Sequence, residues 1–169
     1  MTDTLTTTAP APSTGRDRAL DIVGLLARLV LGGVLLFAGL SKVLTPVASA
    51  RAVQAYQIFP FEVAQYIGYA LPIVEIIIGA LLVLGLFTRV NAVLGMLLMV
   101  VFIAGIISAW ARGLAIDCGC FGGGGEIEPG ETQYPQKIAE NVGLTLCGLW
   151  LIARPRSLAG LDRHLLRRL

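Results

Sequence analysis

A chain of 169 residues that is 56% hydrophobic and only 14% charged, with a mean hydropathy of +0.78, carries more apolar surface than a soluble domain of its size can bury. The surplus belongs in lipid. A formal net charge of +2 says little by itself and gives no reason to expect a nucleic-acid partner, while three cysteines exclude a simple even-numbered disulfide framework.

The first fifteen residues, MTDTLTTTAPAPSTG, are rich in Thr, Pro and Ala and lack periodicity, so they read as a disordered tail, with residues 1–21 together forming a cytoplasmic N-terminal segment. Four apolar segments follow, from about Ile22 to Val43, Ile67 to Phe87, Val90 to Ala111 (free of charge) and Ile138 to Ala153. Helices of about 17 to 25 residues cross the roughly 30 Å hydrocarbon layer and satisfy their own backbone groups. The fourth segment is at the short end and needs Lys137 and Arg154 to snorkel. The expected fold is all-α, an integral membrane four-helix bundle over residues 22–153, with a basic cytoplasmic tail at 154–169.

The basic residues orient it. Arg16, Arg18, Arg89, Arg154, Arg156, Arg163, Arg167 and Arg168 flank one side, whereas Lys42, Arg51, Arg112 and Lys137 on the other are mixed with Glu62, Asp117, Glu126, Glu128 and Glu131. The positive-inside rule puts both termini in the cytoplasm of a multi-pass inner (plasma) membrane protein and the two loops, 44–66 and 112–137, outside. Ala48-Ser49-Ala50 looks like a signal-peptidase site, but the segment before it is too long and Ala50 lies too far past its end, so cleavage is not expected.

Ionisable groups at membrane depth are functional candidates. Arg28, Gly32, Leu35, Gly39 and Lys42 share one face of the first helix, and Gly68, Pro72, Glu75, Gly79 and Leu82 share one face of the second. Small residues let helices approach closely in lipid, so these faces are expected to meet. Counted at 1.5 Å per residue, Arg28 and Glu75 differ in depth by roughly 9 Å, a gap that a long Arg side chain or a water can bridge. The pair then either fixes helix packing or leaves Glu75 as a proton-carrying or quinone-facing carboxylate. Pro72 frees the carbonyl of Gly68 and predicts a kink. In the fourth helix Asn141, Thr145 and Gly148 form a stripe expected to make interhelical hydrogen bonds. Cys147, off that stripe, reads as packing.

The chemistry concentrates in DCGCFGGGGE, residues 117–126. A bridge between Cys118 and Cys120 closes a very small ring across Gly119. Such a ring stabilises little, and strained bridges are the oxidising, labile ones, so the pair reads as a redox couple in a compartment where disulfides persist. Asp117 acts to raise a thiol pKa, and Arg112 or a partner acts to lower it. The glycines lack a following Lys-Ser/Thr and a preceding strand, which excludes a P-loop, and mobility of the thiols is the plainer purpose. Two thiols without an outer histidine make a poor zinc set, so no metal is expected; His164, the sole histidine, falls on the opposite side.

RLVLGGVLLFAGLSKVLTP (28–46), YQIFPFEVAQYIGYALPIVEIIIGALLVLGLFTR (56–89) and CGCFGG (118–123) together resemble the DoxX/MauE-like family of redox-associated membrane proteins. The likeness covers most of residues 22–153, and the CGCFG loop narrows it towards the MauE-like branch. The resemblance implies a four-helix bundle engaged in thiol–disulfide chemistry: disulfide formation in secreted proteins beside a thioredoxin-like partner for MauE-like members, quinone reduction for DoxX-like ones. Arg28, Lys42, Glu75, Cys118 and Cys120 are the residues carried over. Where many relatives open the fourth helix with Arg-Asn or Arg-Asp, this chain has Glu140-Asn141, so a cation is missing there.

The expected function is therefore a membrane thiol–disulfide oxidoreductase. Cys118 and Cys120 exchange electrons with an extracytoplasmic thioredoxin-like partner, and membrane quinone receives them. Glu75 handles protons, and Arg28, Lys42 and Asn141 face the cofactor. Two alternatives stand beside it: a non-catalytic accessory subunit of a larger respiratory or transport complex, and a thiol- or metal-handling transporter with Glu75 and Arg28 along its path.

Overall fold

The computed structural model describes residues 15–117, 124–128 and 130–154. They form, in order, α1 (Gly15–Val43), α2 (Pro46–Ala55), α3 (Phe61–Leu84), α4 (Thr88–Ala111), β1 (Ile116–Asp117), β2 (Gly125–Glu126) and α5 (Tyr134–Ala153). Three of these helices, α1, α3 and α4, are long and apolar enough to cross a membrane. That set does not include α5, the expected fourth crossing, whose 20 residues carry Lys137, Glu140 and Asn141.

The helices associate as two pairs, α1 with α3 and α4 with α5, and α1 also meets α5. The two polar-and-glycine stripes are buried along their whole length and face each other. A Cβ on Gly39 would stand 2.7 Å from the Pro72 carbonyl oxygen, and one on Gly79 would stand 2.6 Å from the Leu36 backbone nitrogen. Glycine at both positions is what lets the α1 and α3 backbones touch. Leu31, Leu35, Ile78, Leu82, Ala92, Met99 and Leu151 fill the centre between the pairs. At the end of α3, Gly85 (φ +69°) takes the left-handed conformation and the Leu86 amide donates to the Leu81 carbonyl (2.9 Å), closing the helix in a Schellman turn.

Both expected loops contain structure. Residues 44–66 hold α2, which starts with Pro46 in its first turn and buries Ser49, Ala50, Ala52 and Ala55. It docks on α3: the Ser49 hydroxyl donates to the Gly68 carbonyl at 2.7 Å, and a Cβ on Gly68 would stand 2.5 Å from the Ala50 Cα. Pro72 has no N–H to give that carbonyl, so Ser49 supplies the missing donor. The Ala-Ser-Ala run is thus a packing surface. Residues 112–137 hold an antiparallel ladder, Ile116 opposite Glu126 and Asp117 opposite Gly125, so a two-residue strand does precede the glycine run.

The first helix also begins earlier than its apolar segment, at Gly15 rather than Ile22, with Asp17 in its first turn where a helix dipole favours an acid.

Candidate functional site

Glu75 is the most deeply buried charge on α3, with 0% of its surface exposed. Its partner is Lys42, whose Nζ donates to Oε1 at 2.8 Å and Oε2 at 3.0 Å. The expected pairing of Glu75 with Arg28 does not form. Arg28 is buried on the same α1 face but lies about 21 Å from Lys42 along the axis at 1.5 Å per residue. The register set by Gly39 against Pro72 and Gly32 against Leu82 brings the C-terminal turn of α1 to Glu75 and carries Arg28 towards the far end of α3. The Lys42 ammonium also lies 5.6 Å from the centroid of the Phe102 ring on α4, a cation–π distance.

Two spaces flank the pair. The larger, about 150 Å³, lies between α2, α3 and α4 and is partly open; Lys42, Ser49, Val53, Tyr56, Phe59, Leu71, Phe102 and Gly105 are among the residues that line it. An apolar cavity of about that size takes one benzene-sized ring. Ile58 and Phe59 on its wall are about half exposed, at 49% and 50%, on the surface of the helix bundle. The smaller, about 20 Å³, touches Glu75, Phe102, Met99, Glu140 and Asn141. That volume holds about one water.

Asn141 therefore comes to Glu75's side of the bundle. Its Nδ2 donates to the Lys137 carbonyl (2.8 Å) and the Thr145 hydroxyl donates to the Asn141 carbonyl (2.8 Å), both within α5 rather than across helices. The stripe faces α4 through Gly148, where a Cβ would stand 3.0 Å from that of Met96. Glu140 pairs with Lys137 at 3.1 Å. Cys147 is a half-buried free thiol packed against the central cluster.

Cys118 and Cys120 lie outside the described residues, but the ladder on either side of residues 118–123 does not. Ile116 is buried with Ala55, Ile106, Ala109 and Tyr134. The Tyr134 hydroxyl donates to the Leu114 carbonyl and accepts from the Ile116 amide (3.1 Å). Arg112 is committed to backbone: its guanidinium donates to the carbonyls of Ser108 (3.1 Å), Gln57 (3.3 Å) and Tyr56, tying the end of α4 to the end of α2. Gln57 holds a left-handed φ of +52° at that clasp. Tyr56 thus belongs both to the wall of the larger cavity and to the clasp beside the ladder.

Sequence reasoning passes over Phe102, Tyr56, Ser49 and Tyr134. Thr45-Pro46 before an alanine-rich stretch is a helix-start signal that points to α2 and so to Ser49 and Tyr56. Nothing in the charge-free α4 distinguishes Phe102. Among the described residues no group of three or more His, Cys, Asp or Glu is arranged to hold a metal.

A family model described as Methylamine utilisation protein MauE matches residues 20–154. No curated protein and no solved structure matches the chain.

Proposed function

The chain belongs to the MauE family, and from that premise we propose that it is a membrane thiol–disulfide oxidoreductase whose working pair is Cys118 and Cys120. Residues 22–153 cross the plasma membrane four times, α5 making the last crossing, with the tails 1–21 and 154–169 in the cytoplasm. The observation that carries the reading is the ladder: β1 and β2 pair on either side of residues 118–123, and Ile116 at their base is buried against α2 and α4. A short thiol loop on a fixed root beside the cavity wall suits disulfide exchange better than a tether.

In the oxidised state a thiolate of a reduced thioredoxin-like partner attacks one sulfur of the Cys118–Cys120 bond. That bond breaks and a mixed disulfide forms. The partner's second thiolate then attacks its own sulfur, leaving the partner oxidised and the pair as two thiols. Re-oxidation of the two thiols needs a two-electron acceptor, and a membrane quinone would supply it by taking two electrons and two protons. The larger cavity, open to the bundle surface near Ile58 and Phe59, supports a ring-sized ligand arriving from lipid. Lys42 meets developing negative charge there, a role Arg28 lies too far along α1 to share. Glu75, with Lys42 on one side and the small space beside Asn141 and Glu140 on the other, passes protons towards the outer end of α5.

The family description, a methylamine utilisation protein, favours a second reading: an accessory subunit that serves that metabolism without chemistry of its own. Replacing both outer cysteines (Cys118→Ser with Cys120→Ser) separates the two. The oxidoreductase reading expects the protein to reach the membrane at normal level, with its C-terminal fluorescent fusion bright in the cytoplasm, while partner oxidation is lost. Partner oxidation that persists in the double variant contradicts it, and a dark C-terminal fusion contradicts the topology.

A further inference from the structure

We infer that segment 56–59 is the gate through which a neutral, ring-sized molecule enters the larger cavity from lipid, and that Arg112 is the latch that holds it shut; this rests on the reading above that the cavity takes its ligand from the bilayer. The mouth is marked by the most exposed residues of the lining, Val101 (62%) on α4 with Ile58 (49%) and Phe59 (50%) in the link between α2 and α3. The inner end holds Lys42 and Ser49, each 6% exposed. Both are already paired within the protein: Lys42 donates to the two Glu75 oxygens, and the Ser49 hydroxyl to the Gly68 carbonyl at 2.7 Å. With Glu75 cancelling the lysine charge, an anion gains little over a neutral molecule. An ammonium carries three donors, so one is left for an acceptor oxygen on that molecule.

The gate is held by its backbone. The Arg112 guanidinium donates to the carbonyls of Tyr56 and Gln57 (3.3 Å), while its Nε donates to Ser108 (3.1 Å) at the end of α4. A planar fork can bridge successive carbonyls in this way, whereas a lysine ammonium is a single point charge. Gln57 has a left-handed φ of +52°, a conformation that a residue with a side chain keeps only where its surroundings hold it. That turn leads the chain from α2 to Ile58 and Phe59 on the cavity wall. Behind the gate the Tyr56 ring packs on bare α4 backbone at Gly105, where a Cβ would stand 3.4 Å from Tyr56 Cε1. The segment thus meets α4 at Gly105 and at Arg112, about 10 Å apart along the axis at 1.5 Å per residue. Arg112 and Gln57 are exposed, so water competes for their hydrogen bonds, while the face of α2 that carries Ser49, Ala50, Ala52 and Ala55 stays buried. The latch can open without undocking the helix.

The test uses the full chain in lipid nanodiscs with Ala52→Cys, which places a thiol on the cavity lining at a position only 7% exposed. Trypsin cuts after Arg51 and Arg89, so label on the 52–89 peptide, which has no native cysteine, reports that thiol alone. Labelling is timed with N-phenylmaleimide, a neutral single ring that dissolves in lipid, and with a ring-sulfonated maleimide that stays in water. Adding Arg112→Met should speed N-phenylmaleimide labelling about tenfold or more, the effect of losing one or two hydrogen bonds that hold the gate, and leave the sulfonated rate within about twofold. Arg112→Lys, which keeps the charge without the fork, should also label faster with N-phenylmaleimide than the form that retains Arg112. Equal gains with both reagents mean that α2 has come loose, and they overturn the latch. Labelling by N-phenylmaleimide at one rate in all three forms overturns it too, while leaving a cavity open to lipid. No labelling in any form means that lipid-borne molecules do not reach the cavity, and the ligand reading fails together with its gate.

Discussion

Lys42 and Glu75 form a charge pair whose side chains are only 8% and 1% exposed, so neither ion keeps water as a fallback. Desolvating two such charges costs several kcal/mol each, and only their mutual attraction, both carboxylate oxygens engaged, offsets it. Removing one partner strands the other. Lys42→Met or Glu75→Leu alone is therefore expected to destabilise the protein by about 3–5 kcal/mol, read from thermal unfolding in detergent, while Lys42→Met with Glu75→Leu recovers most of the loss. Additive losses in the double variant would mean that the two charges do not act as a pair. Both residues are legible in the sequence as the polar members of two glycine-lined stripes, yet counting depth along the helices matches Glu75 to Arg28. Depths counted from the ends of apolar segments assume flush helix ends, whereas the backbone approach at Gly39 and Gly79 sets the true register. A Lys stem also covers several ångströms along the helix before its charge begins.

On the scale of elements, α2 is held by a free acceptor that α3 itself creates. Pro72 cannot donate to the Gly68 carbonyl, and the Ser49 hydroxyl takes that place at 2.7 Å. Ser49→Ala should then cost about 1–3 kcal/mol, because it leaves a buried acceptor unmade. In a Pro72→Ala background the backbone amide restored at that position satisfies the same carbonyl, and the cost of Ser49→Ala should drop to less than about half of that range. Equal costs in both backgrounds would show that the serine docks α2 in some other way. The proline and the carbonyl it frees are visible in the sequence; the helix that answers them is not. Its buried residues are Ser and Ala, which carry little of the apolar signal that marks a core-facing stripe. The ladder is hidden for a similar reason, with two residues per strand and glycine in one of them. The three long apolar helices, by contrast, follow from hydrophobic length alone and match the structure to within a few residues at most ends.

Taken whole, the molecule concentrates its specialised features towards one end of the helix pairs. The Lys42–Glu75 pair, the ring-sized cavity beneath α2, the Arg112 clasp and the Tyr134-anchored ladder succeed one another through shared residues, Phe102 and Tyr56. That continuity is what the sequence conceals, because it joins positions 42, 56, 75, 102 and 134, which no local motif links. We propose that Cys118 and Cys120, which directly follow β1 in the sequence, cycle between thiol and disulfide in step with the membrane's electron carriers. The direct measurement is thiol trapping in cells: acid quenching, alkylation with a mass-tagged maleimide before and after reduction, and assignment of the label to Cys118, Cys120 and Cys147. The account predicts a mixed population at Cys118 and Cys120 that moves towards the thiol form when respiration is blocked, with Cys147 unchanged. A pair that stays in one state under every condition would contradict it.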